Sequence, residues 1–180
     1  MDPKEFNAVL EAARAGDEWA WSRLYGELAG PVLGYLRVRG ATEPEDLLGE
    51  VFLQVARNLS SFSGDVTGFR SWIFTIAHRR MIDERRASGR RPLELVADWE
   101  SGPSQDPALI VMDRLTEERI TATLECLVPD QRDVLLLRIM GGITVEGVAI
   151  VLGKTIGAVK ALQRRALQTI QRNLREAVPI

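Results

Sequence analysis

The chain has 180 residues, of which 46% are hydrophobic and 27% charged, and this composition indicates a folded globular protein rather than a disordered one. Its single cysteine excludes an internal disulfide, and its single histidine excludes a zinc site built on several histidines. No apolar stretch is long enough to cross a membrane, and the N-terminus lacks the apolar core of a signal peptide. We therefore expect a cytoplasmic protein with no membrane insertion of its own.

The net charge of −2 conceals an uneven distribution of charge along the chain. Seven arginines fall between residues 70 and 91, and six basic residues with no acidic one fall between 154 and 175. Residues 92–107, between these stretches, carry four acidic residues and no basic one. Basic stretches are commonly solvated helix faces, but two of them flanking an acidic segment favour a polyanionic partner.

Three helices are predicted in the first 59 residues, where apolar residues recur at helical spacing. Asp2 and the proline after it suit the start of the first helix, and Gly16 suits its end. The second helix is expected to break or restart at Gly30-Pro31. Thr42 is expected to cap the third helix, which has an acidic first turn and a continuous apolar stripe.

A small polar loop, Ser60 to Gly68, precedes a helix predicted for Phe69 to Arg91, which carries arginines around an apolar face. Aromatic rings beside arginines suit single-stranded nucleic acid, because cations meet the phosphates and π-faces stack on unpaired bases. The alternative is that the aromatic residues belong to the core and the arginines are solvated. For Trp72 we favour the core.

Residues 92–107 contain prolines, a glycine and serines among the acidic residues, which is the composition of a linker. We therefore predict a first domain over residues 1–91 and a second over 108–180. Cys126 lies in an apolar pattern of the second domain, so we expect it in the core. No alternating strand pattern lies between turn signals, and the predicted fold class is all-α.

The stretch from Thr144 to Arg165 has the spacing of a helix-turn-helix motif. The small side chain of Ala149 lets the second helix cross closely, and Gly153 supplies a turn that needs a positive φ. The second helix of such a motif enters the major groove of DNA; the alternative is an ordinary helical hairpin with a glycine turn. The residues expected to contact bases or phosphates are Lys154, Thr155, Gly157, Lys160, Ala161, Arg164 and Arg165.

Three segments, in this order and spacing, resemble the bacterial sigma-70 family and specifically its extracytoplasmic-function (ECF) group. The segments are Glu45–Leu59, Phe69–Arg86 and Leu127–Leu167, and the resemblance covers nearly the whole chain. It implies a two-domain transcription initiation factor that is not an enzyme and needs no cofactor. A sigma region 2-like bundle and a sigma region 4-like helix-turn-helix domain would be joined by the acidic linker.

The resemblance also implies partners and contact residues. Core RNA polymerase would bind through its β′ and β subunits, with the β′ coiled coil docking at Asp46, Glu50 and Gln54. The melted −10 element of the promoter would be read by Phe62, Ser63, Arg70, Trp72, Arg79, Arg80 and Arg86. The −35 element would be read as a duplex by the helix-turn-helix, and an anti-sigma factor would hold the protein when it is not bound to polymerase.

Three positions depart from the family pattern. Gly49 and Ala56 stand where the family usually has glutamine and tryptophan on the polymerase-docking helix, and Arg79 stands where asparagine is common. We therefore expect these three departures to alter polymerase docking and promoter melting more than −35 recognition. Two alternatives remain open: a helix-turn-helix regulator that does not melt promoters, and an adaptor that mimics a sigma factor. The basic face of the second motif helix argues against an adaptor without DNA binding.

Overall fold

The computed structural model describes residues 1–88 and 124–176, and every regular element in these residues is helical. The elements are α1 (Pro3–Ala15), α2 (Glu18–Val38), α3 (Pro44–Asn58), a 3-10 turn (Leu59–Ser61), α4 (Val66–Ser88), α5 (Pro129–Ile139), α6 (Val145–Leu152) and α7 (Ile156–Glu176). The predicted all-α class with two helical domains is confirmed. The predicted domain limits and the acidic linker lie outside the described residues.

Helix α1 begins and ends where the sequence predicts. The carboxylate of Asp2 accepts hydrogen bonds from the backbone N–H groups of Lys4 at 2.8 Å and Glu5 at 2.9 Å. These bonds satisfy two donors that a helix leaves unpaired at its start. Gly16 follows the helix with a φ of 93°, in the left-handed region where glycine is favoured.

The predicted break at Gly30-Pro31 is wrong, because α2 continues through Pro31 as one helix of 21 residues. Proline has no N–H and crowds the preceding turn, at a typical cost of about 3 kcal/mol in a helix interior. The turns around it bury Leu28, Val32 and Leu36 in the core. Burial of such side chains contributes roughly 1.5–3 kcal/mol each, so packing outweighs the proline.

The predicted capping of α3 by Thr42 is also wrong, because this helix begins at Pro44 with Glu43 at the N-cap position and no side-chain cap. The backbone N–H of Thr42 instead donates to Glu84 Oε1 at 2.9 Å, which ties the start of α3 to α4. Proline in the first turn needs no acceptor, and the acidic residues there favour the positive end of the helix dipole. These two features replace the missing cap.

An aromatic cluster packs the loop before α4 into the core of the first half. The ring of Phe69 on α4 lies 5.4 Å from that of Phe6 on α1 and 5.1 Å from that of Phe62 in the loop. Trp72 lies one turn further along α4, 5.1 Å from Phe62. Aromatic pairs of this kind contribute about 0.5–1.5 kcal/mol beyond their buried area.

The predicted helix-turn-helix is formed by α6, the turn at Gly153 and α7. Thr144 Oγ1 accepts a hydrogen bond from the Gly147 N–H at 3.1 Å and caps α6. Gly153 ends α6 with a φ of 62°, and Thr155 Oγ1 accepts from the Ala158 N–H at 3.2 Å at the start of α7. The turn that the sequence predicts at this glycine is thus present.

The predicted burial of Cys126 is wrong, because this residue is exposed. Its neighbours Leu124 and Leu127 are buried instead. Residues three apart lie on one side of a helical turn, so the two leucines face the core together and the cysteine between them does not. Arg132 of α5 holds this turn by donating to the carbonyls of Leu124 at 2.8 Å and Leu127 at 3.2 Å.

The two described halves pack against each other, with α4 of the first lying on α6 of the second. Gly147 of α6 is so close to Ser71 of α4 that a Cβ atom on the glycine would lie 2.3 Å from Ser71 Oγ. Across the same contact, Arg70 Nη1 donates to the Gly141 carbonyl at 3.2 Å. The buried apolar residues form one continuous core through both halves.

Candidate nucleic-acid and polymerase surfaces

The outward face of α7 is exposed and basic at the positions predicted to contact DNA. The exposed members of the predicted set are Thr155, Gly157, Lys160, Arg164 and Arg165. Ala161 is half-buried, and Lys154 forms an ion pair with Asp130 at 2.7 Å. No acidic residue occurs between positions 154 and 175, so nothing along this stretch of sequence offsets its positive charge.

Lys160 and Arg164 stand one helical turn apart on this face. The planar guanidinium of arginine donates two parallel hydrogen bonds to O6 and N7 of guanine, whereas the ammonium of lysine acts as a point charge suited to phosphate. A helix with this face in the major groove has one group for reading bases and several for holding the DNA backbone.

The arginines predicted to contact the −10 element do not form one patch on α4. Arg79 and Arg86 are exposed. Arg80 is directed toward α3, where its Nε donates to Gln54 Oε1 at 3.1 Å and its Nη1 lies 3.3 Å from Glu50 Oε2. The structure therefore joins a predicted DNA-binding residue to two predicted polymerase-contacting residues.

Arg70 lies apart from these arginines, at the contact between the two halves. Its Nη2 donates to Glu27 Oε1 at 3.3 Å, and its Nη1 donates to the Gly141 carbonyl. Both contacts use the guanidinium group that phosphate binding would need. Arg70 is thus engaged within the protein in this arrangement.

The aromatic residues of the predicted −10 surface cover each other. Phe62 is buried and Trp72 is half-buried, and their rings stack at an interplanar angle of 30°. This agrees with the expectation that Trp72 packs against the core. Ser63 beside them is exposed. A base could stack on the face of Trp72 that Phe62 covers only after the two rings separate.

The predicted polymerase-docking positions share one face of α3. Asp46 and Glu50 are exposed one turn apart, and Gln54 is half-buried on the following turn. Leu53 beside them is 58% exposed, an apolar residue outside the core stripe that the sequence analysis missed. A Cβ atom on Gly49 would meet nothing within 4 Å, so no packing contact requires glycine there.

A buried polar cluster beneath α4 was also missed. Tyr35 Oη and His78 Nδ1 share a hydrogen bond of 2.8 Å, and both residues are buried. Burial, with the positive charges of Arg39 and Arg85 nearby, lowers the pKa of His78 to about 4. Burial also raises the pKa of Tyr35. The lowered pKa keeps His78 neutral at pH 7, and its buried contact with Tyr35 gives it a structural role.

The same cluster contains an ion pair between the two halves. Arg39, at the C-terminal end of α2, pairs with Asp133 of α5, and their side chains are 3% and 10% exposed. Burial raises the pKa of Asp133, and the positive charges of Arg39 and Arg85 oppose this shift. Neither residue belongs to a local sequence motif, so nothing in the sequence indicates that they pair.

Within residues 1–88 and 124–176, no group of three or more histidine, cysteine, aspartate or glutamate side chains is placed to hold a metal ion. None of the helices in these two ranges is both long enough and apolar enough to cross a membrane.

Both halves of the chain match known sigma-factor regions. Residues 24–91 match sigma-70 region 2, and residues 117–170 match sigma-70 region 4. The ECF RNA polymerase sigma factor BldN of Streptomyces coelicolor is 32% identical over 178 residues, which cover 96% of this chain and 67% of that protein.

Two solved structures share the fold. CnrH, in complex with the cytosolic domain of CnrY, matches with a TM-score of 0.68 at 22% identity, covering 96% of this chain and 99% of that one. The sigma factor RpoE, in complex with the anti-sigma factor NepR from Bartonella quintana, matches with a TM-score of 0.65 at 20% identity, covering 86% and 96%. The two region matches and the relation to BldN show that the chain belongs to the sigma-70 family of RNA polymerase sigma factors, in its ECF group.

Proposed function

We propose that this ECF sigma factor directs core RNA polymerase to promoters by reading the −35 element with α7 and the melted −10 element with α4 and the loop before it. The observation that supports this most directly is the exposed basic face of α7, which follows a glycine turn with a φ of 62°. The protein contributes binding energy rather than catalysis. Its place of action is the cytoplasm, where it meets polymerase and DNA.

At the −35 element, Arg164 is proposed to read a guanine, while Lys160 and Arg165 bind phosphates. Lys154 is proposed to leave its ion pair with Asp130 and to bind a phosphate as well. That exchange costs little, because an exposed ion pair contributes only about 0–1 kcal/mol. Thr155 is proposed to approach the duplex through its hydroxyl group, and Gly157 and Ala161 are proposed to let the helix come close because they carry no side chain or only a methyl group.

At the −10 element, Phe62 and Trp72 are proposed to part and stack on unpaired bases. Stacking of a base on an aromatic ring contributes about 1–3 kcal/mol. This gain offsets the loss of the aromatic pair, which is worth about 0.5–1.5 kcal/mol beyond the area it buries. Arg79 and Arg86 are exposed and suited to phosphates of the melted strand, and Ser63 lies beside the loop aromatic.

Two further arginines of the proposed −10 surface, Arg70 and Arg80, must change partners to reach DNA. Arg80 would leave Glu50 and Gln54, which are proposed to contact the β′ coiled coil together with Asp46. Polymerase binding to Glu50 and Gln54 would therefore release Arg80 toward the melted strand. The contact of Arg80 with Glu50 and Gln54 thus couples the two events. Docking of polymerase on α3 favours DNA binding on α4, and DNA binding on α4 favours docking.

An anti-sigma factor is the second proposed protein partner. RpoE, which shares the fold, was solved with the anti-sigma factor NepR, and CnrH was solved with the cytosolic domain of CnrY. The exposed apolar side chains of the second half offer contact area for such a partner. They include Ile139 and Ile150, which are 74% and 70% exposed.

Run-off transcription with purified core polymerase tests the proposed function. The template pool carries randomised −35 and −10 segments, and reactions are compared with and without the protein. We expect initiation that depends on the protein and selects sequences at both elements. Duplex binding without initiation would instead indicate a helix-turn-helix regulator that does not melt promoters, and neither binding nor initiation would indicate a sigma-mimicking adaptor.

A further inference from the structure

One arginine of α1 contacts the chain that leads into the loop proposed to read the −10 element. Arg14 lies in the last turn of α1, and its Nε donates to the Leu59 carbonyl at 3.4 Å. Its Nη2 donates to the Phe62 carbonyl, and its Nη1 donates to Glu11 Oε1 at 2.6 Å. The three nitrogens of one guanidinium group thus bond three different oxygens, and two of these belong to the backbone between α3 and α4.

The two backbone carbonyls stand where a positive group is favoured. Helix α3 ends at Asn58 and the 3-10 turn follows it directly, so these carbonyls lie near the negative end of a helix. The Leu59 carbonyl also accepts from the Phe62 N–H at 3.2 Å, so Arg14 adds a second donor to a bond of the turn itself. A planar guanidinium serves both carbonyls at once, whereas an ammonium is a point charge on a flexible stem.

The backbone that Arg14 holds belongs to a residue whose ring is proposed to move. Phe62 is extended, with φ −69° and ψ 135°, so the chain leaves the 3-10 turn at this residue. Its ring is buried against Phe69 and Trp72. A Cβ atom on Gly64 would lie 3.0 Å from Phe62 Cζ, so the following chain passes close to the ring. Arg14 therefore fixes the main chain at the point from which the ring turns.

Parting of the two stacked rings removes apolar contacts from the centre of the loop. Hydrogen bonds at its two ends then have to keep the loop in shape. At the α4 end, Asp65 Oδ1 accepts from the Gly68 N–H at 2.7 Å. At the α3 end, Arg14 holds the Leu59 and Phe62 carbonyls. A loop that is held in its binding shape loses less conformational freedom when DNA arrives, and this preserves affinity.

We propose that Arg14 is a positioning residue for −10 recognition, which anchors the Leu59 and Phe62 carbonyls so that the loop keeps its shape when Phe62 and Trp72 part to admit a base. The inference rests on the proposed function, because the anchor serves DNA binding only if this loop reads the −10 element. Helix α1 lies outside residues 24–91, the stretch that matches sigma-70 region 2. A residue outside that stretch thus contributes to promoter reading without touching DNA.

Three variants of the full chain separate the anchor from the general packing of α1. Arg14→Ala removes all three hydrogen bonds of the guanidinium. Arg14→Lys keeps the positive charge but lacks the planar fork that reaches both carbonyls. Arg23→Ala is the matched control, because Arg23 of α2 also holds α1, through an ion pair with Glu5 at 2.8 Å rather than through the loop.

Hydrogen–deuterium exchange of the free protein tests the anchor. Mass spectrometry follows the peptide that spans residues 59–68, and peptides of α7 serve as the internal reference. For Arg14→Ala we expect exchange of the loop peptide to quicken about tenfold, the factor that corresponds to about 1.4 kcal/mol, and for Arg14→Lys by a smaller factor. Arg23→Ala should leave the loop peptide unchanged, and α7 should exchange as in the wild type in every variant.

DNA binding by the complex of each variant with core polymerase tests whether the anchor serves recognition. The probes are a single strand with the −10 sequence that the wild type selects from randomised templates, and a duplex with the selected −35 sequence. Fluorescence anisotropy measures both affinities. For Arg14→Ala we expect the single strand to bind about tenfold more weakly and the duplex to bind as before, with Arg14→Lys in between. General loss of folded protein would weaken both probes alike.

Exchange of the loop at the wild-type rate in Arg14→Ala would overturn the anchor. Faster exchange with unchanged affinity for the −10 strand would leave Arg14 a purely structural residue, and so would equal weakening of both probes. If the wild type initiates from no template, the proposed function fails and this inference fails with it, while the exchange rates still report on the anchor itself. Should Arg14→Ala not fold, Arg14→Lys decides both steps by the same readings.

Discussion

The only histidine of the chain, His78, is buried against Tyr35 with a pKa of about 4. The unfolded chain binds a proton at this residue near pH 6.5, whereas the folded chain binds it only near pH 4. The stability that the neutral imidazole contributes is therefore complete above about pH 6.5 and is lost as the pH falls toward 4.

Between pH 7 and pH 4, we predict that the wild type loses roughly 3 kcal/mol more free energy of unfolding than His78→Gln, since one pKa unit corresponds to about 1.4 kcal/mol. Urea denaturation followed by circular dichroism at the two pH values measures this difference. The variant is expected to be less stable at pH 7, because it loses the packing of the imidazole. Equal losses in the two proteins would show that His78 is not the residue that titrates.

Arg165 is exposed on α7 and is proposed to bind a phosphate of the −35 duplex. We predict that Arg165→Ala weakens duplex binding by a similar factor for every −35 sequence. The slope of log K against log salt should become shallower by about 0.9, the value for one lost phosphate contact. Fluorescence anisotropy over a salt series measures the slope. Arg57→Ala, an exposed arginine on α3, is the control and should leave it unchanged.

At the scale of elements, α3 and the helix-turn-helix each contain a glycine with open space around it. A Cβ atom at Gly49 or at Gly153 would meet nothing within 4 Å. The two positions differ in backbone conformation, because Gly49 lies inside a helix and Gly153 has a φ of 62°. Substitution by alanine therefore isolates the effect of the backbone from that of packing.

For this pair we predict opposite changes in the free energy of unfolding. Gly49→Ala should stabilise the protein by about 0.5–1 kcal/mol, because alanine loses less conformational entropy in a helix than glycine does. Gly153→Ala should destabilise it by roughly 1–2 kcal/mol, because an L side chain is strained in the left-handed region. Urea denaturation of both variants provides the comparison, and a change of the same sign in both would refute the explanation.

Capping residues and turn glycines, which act locally, predict most of the helix ends correctly. Asp2, Gly16 and Gly153 act within a few residues of themselves, so the helix ends they mark follow from the sequence. The break at Pro31 was predicted wrongly because the burial of neighbouring turns of α2 outweighs one missing hydrogen bond. Cys126 was misplaced because an apolar neighbourhood in the sequence does not decide which side of a turn each residue takes.

At the scale of the whole molecule, the sequence predicts two helical units but not the way they pack. Arg39 and Asp133 lie far apart in the chain, and the close approach of Gly147 to Ser71 has no local signature. The same long-range contacts determine which predicted −10 residues are engaged within the protein and which are exposed. The individual DNA and polymerase contacts remain proposals drawn from exposure, charge and resemblance.

Promoter selection with a variant of α7 shows whether the two halves read two promoter elements separately. Wild type and Arg164→Ala are each combined with core polymerase, and the initiating templates are selected from a pool with randomised −35 and −10 segments. For Arg164→Ala we predict an altered preference at one position of the −35 element, a loss of about 1–3 kcal/mol for the preferred base there, and an unchanged −10 element. An unchanged −35 preference, or a change at both elements, would contradict this prediction.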